Sequence, residues 1–189
     1  MEPHFLPALR SFVSRRKASG VAPLLMAVAA AIHTAPSAAA SCGDLTSFLL
    51  ADTTITLAQS YTAGSMVSGT TRAPVDLCRV AGTIKPGPLS NIRFEVWIPT
   101  AANWNGKYQQ TGNGGFAGSI SLVNIANAVS RGYATAATDD GTSGPPAGAP
   151  AFINNPDVAL DYGYRAVSAT SEKSKAIISM LMGRGPSHS

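Results

Sequence analysis

The chain has 189 residues and 45% of them are hydrophobic, which is enough for one domain with a packed core. Its formal net charge is +4, but the excess lies in the first 40 residues. Residues 41–189 hold ten basic and nine acidic side chains, so their net charge is +1. A balance this close to neutral gives no indication of a nucleic-acid-binding surface.

The first 40 residues have the three parts of an export signal. Residues 10–17 include four basic side chains, and an apolar stretch covers 21–32. Small residues at 37–40 offer a cleavage site near Ala40. The alternative is a membrane anchor, but the apolar stretch is short for a hydrocarbon layer of roughly 30 Å. We therefore expect a signal peptide over 1–40, no stable membrane anchor, and a secreted or periplasmic domain over 41–189.

Two cysteines, Cys42 and Cys78, follow the predicted signal. An even number of cysteines in an oxidising compartment favours a disulfide bond between them. The alternative is a pair of buried thiols that do not react with each other.

Regular structure becomes clear from Leu77 onward. Residues 42–76 have no strong period and read as a small, turn-rich lead-in with short segments. Strands are predicted over 77–84 and 91–98, paired antiparallel across a Pro-Gly-Pro turn. The second strand alternates and predicts one buried face, formed by Ile92, Phe94, Val96 and Ile98, with Arg93, Glu95 and Trp97 opposite.

The second half alternates between strands and helices. A strand over 107–111 precedes a short helix around 122–129, with Gly132 at its C-terminal end. A strand over 133–138 follows, then a loop over 142–154 rich in Gly, Pro and Ala, and a long helix over 157–182 whose first turn suits Pro156. This order predicts an α/β fold with an antiparallel edge, and the next parallel strand is expected to start near Ser189.

Three segments together resemble the tannase and feruloyl esterase family. The similarity covers most of 42–187, and no single motif would be specific. The segments run from Asn91 to Pro99 with Trp104-Asn105-Gly106-Lys107-Tyr108, then Gly112-Asn113-Gly114-Gly115-Phe116-Ala117-Gly118, then Gly132-Tyr133-Ala134-Thr135 with Thr138-Asp139 and Asp161-Tyr162-Gly163-Tyr164-Arg165-Ala166-Val167. Two departures are Asp140-Gly141-Thr142 and Ser168, where the family often has histidine.

The resemblance implies an α/β-hydrolase fold that hydrolyses aromatic esters such as gallates or ferulates. It also implies that this sequence holds an incomplete fold: the N-terminal strands, the oxyanion loop and the first helices, without the lid and the C-terminal half. The serine nucleophile in its Gly-Cys-Ser-x-Gly-Gly elbow, the acid and the histidine would lie beyond the C-terminus. A structural calcium would belong to the lid, so no cofactor is expected here.

The residues themselves do not supply a serine triad. A serine nucleophile needs a base, usually histidine, and the three histidines are His4, His33 and His188. The first two fall in the predicted signal and the third is the penultimate residue. No metal-binding motif is present either, and the adjacent Asp139 and Asp140 fit a turn better than a cation site.

One glycine-rich loop has a composition suited to binding a negatively charged oxygen. Glycines in 112–115 let backbone N–H groups approach a developing oxyanion, and by resemblance Gly114 or Gly115 would donate one. The alternative is an ordinary tight turn. Trp97 and Phe116, and also Trp104, are candidates to contact an aromatic substrate.

Two functions follow from the sequence. The first is a secreted serine ester hydrolase for aromatic esters, truncated here before its nucleophile and inactive as this chain alone. The alternative is a small secreted domain that binds an aromatic ligand or has a structural role, without catalysis.

Overall fold

The computed structural model describes residues 40–116, 118–142 and 155–189. The predicted signal peptide, except its last residue, and most of the predicted loop over 142–154 lie outside these ranges. In chain order the strands are β1 Thr53–Tyr61, β2 Met66–Ser68, β3 Thr71–Arg72, β4 Leu77–Ile84, β5 Ile92–Pro99, β6 Tyr108–Gln110 and β7 Ala134–Thr138. The helices are α1 Leu122–Val129, α2 Pro156–Leu160 and α3 Ala166–Met182, and a 3₁₀ turn covers Gly43–Ser47.

Five strands form one mixed sheet in the order β1-β4-β5-β7-β6. β4 and β5 pair antiparallel as predicted, from Ile84 opposite Ile92 to Leu77 opposite Pro99. β6 and β7 are the parallel pair. Beyond them, His188 forms a parallel bridge with Lys107 at the start of β6. The predicted α/β class with an antiparallel edge is therefore confirmed.

The turn-rich lead-in with short segments that was predicted over 42–76 has more regular structure than expected. It contains β1, a nine-residue strand at the sheet edge, and the small β2–β3 hairpin. The pairing of β1 with β4 shifts register between Ile55 and Leu57. A shifted register breaks the two-residue alternation by which strands are recognised in a sequence.

Both faces of β5 are covered, so the prediction of a single buried face was incomplete. Ile92, Phe94, Val96 and Ile98 belong to the larger core, together with Ile177 and Ile178 of α3. On the opposite face Trp97 packs with Ile125 and Val129 of α1 in a second core. β5 is therefore a central strand between two layers of side chains, which positions β7 and β6 beside it.

The helices begin and end close to where the sequence predicts. Ser121 caps α1, Gly132 has a φ of 85°, and Gly183 ends α3 with a φ of 67°. Pro156 stands in the first turn of α2. The predicted helix over 157–182 is one continuous helical run, but a π-helical turn over Asp161–Arg165 separates α2 from α3.

The Cys42–Cys78 disulfide is present, with 5.7 Å between the two Cα atoms, as the even cysteine count predicted. It joins the 3₁₀ turn to β4 and encloses β1 in a covalent loop. In the described ranges no helix has the length and apolar composition that a membrane span requires.

Candidate active site

The carboxyl ends of the parallel strands β6 and β7 border an open cleft of about 840 Å³. In α/β sheets this edge is where ligands usually bind, because the loops that follow the strands gather there. Part of α3 forms the other wall. The cleft is lined by polar residues for the most part: Gln110, Thr111, Gly112, Asn113, Thr138, Asp140, Val167, Ser168, Ser171, Glu172 and Lys175.

Gly112 and Asn113 of the glycine loop 112–115 line this cleft, and Gly114 and Gly115 follow them directly. Gly115 has a φ of 59°, a left-handed conformation that glycine adopts without strain. A Cβ on Gly114 would meet no heavy atom within 4 Å, so this position has space for a small side chain. Within the described residues, neither the Gly114 nor the Gly115 amide donates to a protein acceptor. Both residues are exposed, so the loop presents two amides that have no protein acceptor within the described residues.

Side chains hold this loop on both sides of Gly114. Asn113 Nδ2 donates to the Thr138 carbonyl at 2.5 Å and to Asp140 Oδ2 at 3.1 Å. The Tyr162 hydroxyl donates to the Gly115 carbonyl at 3.1 Å. Sequence reasoning missed both anchors, although Asn113 lies inside the glycine segment and Tyr162 inside the third family-like segment.

The two adjacent aspartates have different environments. Asp139 is buried and its carboxylate accepts from the Arg93 amide at 2.9 Å, from Arg93 Nε at 2.6 Å and from the Gly141 amide at 3.0 Å. These hydrogen bonds attach the turn that follows β7 to the neighbouring strand β5. Asp140 has a φ of 56° and faces the cleft. Burial raises the pKa of Asp140, Asn113 partly opposes that rise, and the charge of Asp139 adds to it.

Replacing Asp140 by asparagine is expected to remove a pH dependence of stability. Because the folded-state pKa lies above the ordinary value of 3.8, the folded chain binds this proton more tightly than the unfolded chain. Wild type should therefore lose stability relative to Asp140→Asn as the pH rises from that value through the folded-state pKa. Thermal midpoints measured across this window test the difference.

Asp52→Asn is the matched control for that measurement. Asp52 also has a left-handed backbone, with a φ of 55°, but it is exposed and lies away from the cleft. It reports what the Asp-to-Asn change does to such a turn. A midpoint difference between wild type and Asp140→Asn that stays constant with pH would contradict the prediction.

The three aromatic candidates for substrate contact lie in different places. Trp97 is fully buried and its Nε1 donates to Glu95 Oε2 at 2.9 Å, so it offers no surface to a substrate. Trp104 is buried beside Lys107, whose carbonyl accepts from its Nε1 at 2.9 Å. Phe116 is 43% exposed, and its ring centroid lies 6.3 Å from that of Tyr162 beside the glycine loop.

A serine–histidine contact occurs at the other end of β6. Ser187 Oγ lies 3.0 Å from His188 Nδ1 and also 3.0 Å from the Gly106 carbonyl. All of β6 separates this contact from the glycine loop. Ser189 Oγ lies 3.0 Å from Lys175 Nζ, and a lysine ammonium only donates, so this contact does not activate the serine. Neither arrangement joins a nucleophile to the open amides.

Metal ligands do not cluster in the described ranges: no group of three or more His, Cys, Asp or Glu side chains there could hold an ion. Among the groups that line the cleft, the Lys175 ammonium and the Asn113 carboxamide can donate to an anionic oxygen, and the glycine loop adds backbone amides.

The family model for tannase and feruloyl esterase matches residues 78–189, more than half of the chain. An uncharacterized esterase of Xanthomonas campestris pv. campestris is 39% identical over 176 residues, covering 90% of this chain and 30% of the relative. Feruloyl esterase B of Aspergillus niger is 33% identical over 125 residues, covering 66% of this chain and 23% of the relative.

The crystal structure of feruloyl esterase B from Aspergillus oryzae is similar in fold, with a TM-score of 0.70 and 25% sequence identity. The match covers 76% of this chain and 29% of that one. The chain thus spans less than a third of the length of the relatives that it matches.

Proposed function

Because the chain belongs to the tannase and feruloyl esterase family, we propose that the whole protein is a secreted carboxylic ester hydrolase for aromatic esters such as ferulates or gallates. The observation that carries this proposal is the pair of open amides at Gly114 and Gly115, at the carboxyl ends of the parallel strands. The disulfide between Cys42 and Cys78 supports the secreted location, since such bonds persist in oxidising compartments.

The glycine loop is suited to stabilise charge during ester hydrolysis. Attack on an ester carbonyl places a negative charge on its oxygen, and fixed backbone N–H groups stabilise that charge in the transition state. Here Asn113 and Tyr162 hold the loop before the reaction, so little reorganisation is needed. We assign the oxyanion donor to Gly114 or Gly115.

The nucleophile and its base are proposed to come from the rest of the protein. Among the described residues the one histidine is His188, at the far end of β6 from the glycine loop. A serine activated by histidine beside the glycine loop therefore needs residues outside the described ranges. We expect the 189-residue chain by itself to hydrolyse neither methyl ferulate nor methyl gallate.

Phe116 is our candidate for contact with the aromatic part of the substrate. It is 43% exposed next to the loop, and an aromatic ring can pair with a ligand ring in an offset-stacked or edge-to-face arrangement. Trp97 is not included because it is buried in the second core.

The test is hydrolysis of methyl ferulate and methyl gallate by the full-length gene product, together with two variants of one residue. Gly114→Pro removes the backbone N–H and is expected to lower kcat by about 100-fold if Gly114 is the donor. Gly114→Ala keeps the N–H, and its Cβ has open space, so kcat should stay within about threefold.

The results separate the two functions. Turnover that Gly114→Pro abolishes and Gly114→Ala retains supports the oxyanion assignment to Gly114. Equal loss in both variants would speak against it. A full-length protein that binds ferulate without hydrolysing any ester would replace the hydrolase proposal by the aromatic-ligand-binding function.

A further inference from the structure

We propose that Tyr162 is a positioning residue for the glycine loop, acting through its hydrogen bond to the Gly115 carbonyl. This inference rests on the proposed function, because a held loop matters only if its amides bind a developing charge. The hydroxyl-to-carbonyl distance is 3.1 Å, and the two residues are 47 positions apart in sequence.

The loop needs such an anchor because of its composition. Three of its four residues are glycine, and glycine loses more conformational freedom on ordering than any other residue. The Gly115 carbonyl belongs to the planar peptide unit between Gly115 and Phe116, so this hydrogen bond fixes the orientation of that unit at the C-terminal end of the loop. Asn113 is held on the other side by the end of β7. Gly114 therefore lies between two residues, Asn113 and Gly115, that are each held by a hydrogen bond.

The π-helical turn that contains Tyr162 positions its side chain towards the glycine loop. Within this turn Arg165 Nε donates to Asp161 Oδ1 at 2.5 Å, and Arg165 NH2 donates to Ser90 Oγ at 2.8 Å. Asp161 is fully buried. π turns widen a helix by one residue per turn and often mark functional sites. The ion pair therefore fixes the segment from which the Tyr162 side chain reaches the loop.

The turn after β7 lets this helical segment approach closely. A Cβ on Gly141 would lie 2.8 Å from Asp161 Cβ, a distance that no side chain tolerates without movement. Glycine at this position, with a φ of 72°, is what allows the contact. The Asp139-Asp140-Gly141 turn and the π turn therefore pack against each other. Each also forms a hydrogen bond with the glycine loop, the first through Asp140 and the second through Tyr162.

Ring packing alone is the competing explanation, since the Tyr162 and Phe116 rings are tilted by 42° at 6.3 Å. Tyr162→Phe distinguishes the two because it keeps the ring and removes the hydroxyl. Tyr164→Phe is the matched control. It makes the same chemical change two residues further on, at a side chain that is 62% exposed.

The experiment uses the full-length gene product and two readouts. In Tyr162→Phe, kcat on methyl ferulate should fall about tenfold while KM stays within about twofold, because transition-state stabilisation is lost and substrate binding is retained. Millisecond hydrogen–deuterium exchange at the Thr111 and Gly118 amides, which are hydrogen-bonded on either side of the loop, should become about fivefold faster. Tyr164→Phe should change neither.

The exchange readout does not depend on activity. A wild type that hydrolyses no ester would overturn the proposed function, and loop exchange would still decide whether Tyr162 positions the loop. Exchange in Tyr162→Phe equal to that in Tyr164→Phe would overturn the positioning role. Faster exchange with an unchanged kcat would show that the held loop does not serve catalysis and would also overturn the inference.

Discussion

Replacing Cys42 and Cys78 together by alanine is expected to lower the free energy of unfolding by about 4 kcal/mol. The bond closes a loop across a sequence separation of 36, and in the chain-entropy model a cross-link stabilises by restricting the unfolded chain. The covalent loop includes β1. Without the cross-link, folding therefore costs the full conformational entropy of placing this edge strand on β4. Urea unfolding of the oxidised wild type and the double variant measures the difference.

Wild type unfolded in a reducing agent is the control for that comparison. It loses the cross-link but keeps the sulfur atoms that pack in the larger core. If the double variant and the reduced wild type lose the same free energy, the cross-link is the cause. A loss under about 1 kcal/mol in both would contradict the chain-entropy argument.

Replacing Glu95 by alanine is expected to cost about 3–5 kcal/mol of unfolding free energy. Glu95 is 8% exposed, and its carboxylate accepts from Arg79 Nε at 2.8 Å, from Arg79 NH2 at 2.5 Å and from Trp97 Nε1 at 2.9 Å. Its hydrogen bond and charge raise the pKa of Arg79. Without Glu95, the Arg79 guanidinium loses its carboxylate partner and keeps the Val67 carbonyl at 3.3 Å, and the buried Trp97 indole N–H loses its acceptor, so the cost exceeds the value of the ion pair itself.

Two variants make the Glu95 result specific. Glu172→Ala removes a surface partner, since Glu172 pairs with Lys173 and its side chain is 72% exposed; its effect should be within about 0.5 kcal/mol. The double variant Arg79→Met/Glu95→Leu removes both charges and should recover much of the loss. A cost of under about 1.5 kcal/mol for Glu95→Ala would mean that water replaces the carboxylate.

The elements with complete local signals were predictable. β4 and β5 have β-branched or alternating residues and a Pro-Gly-Pro turn between them, and the ends of α1 and α3 carry glycines in left-handed backbone. β1 was not predictable because its pairing shifts register and its side chains are only partly buried. The π turn was missed because its residues continue the helical pattern on both sides.

The glycine loop was predicted from its residues and from the family resemblance, but its supports were not. Asn113 meets Thr138 across 25 positions, and Tyr162 meets Gly115 across 47. No local pattern indicates such contacts. For Trp97 the sequence was also insufficient. The alternation of residues along β5 placed Trp97 on the face opposite the larger core, but packing against α1 buries it there.

By itself, the sequence determined the α/β class, the antiparallel β4–β5 pair, the cysteine pair and the glycine loop, because propensity, alternation and turn chemistry act between near neighbours. Only the tertiary structure decided which aromatic rings remain exposed, which aspartate faces the cleft and what holds the loop. Those outcomes depend on burial and on hydrogen bonds between residues far apart in the chain, and such contacts form only when the layers pack together.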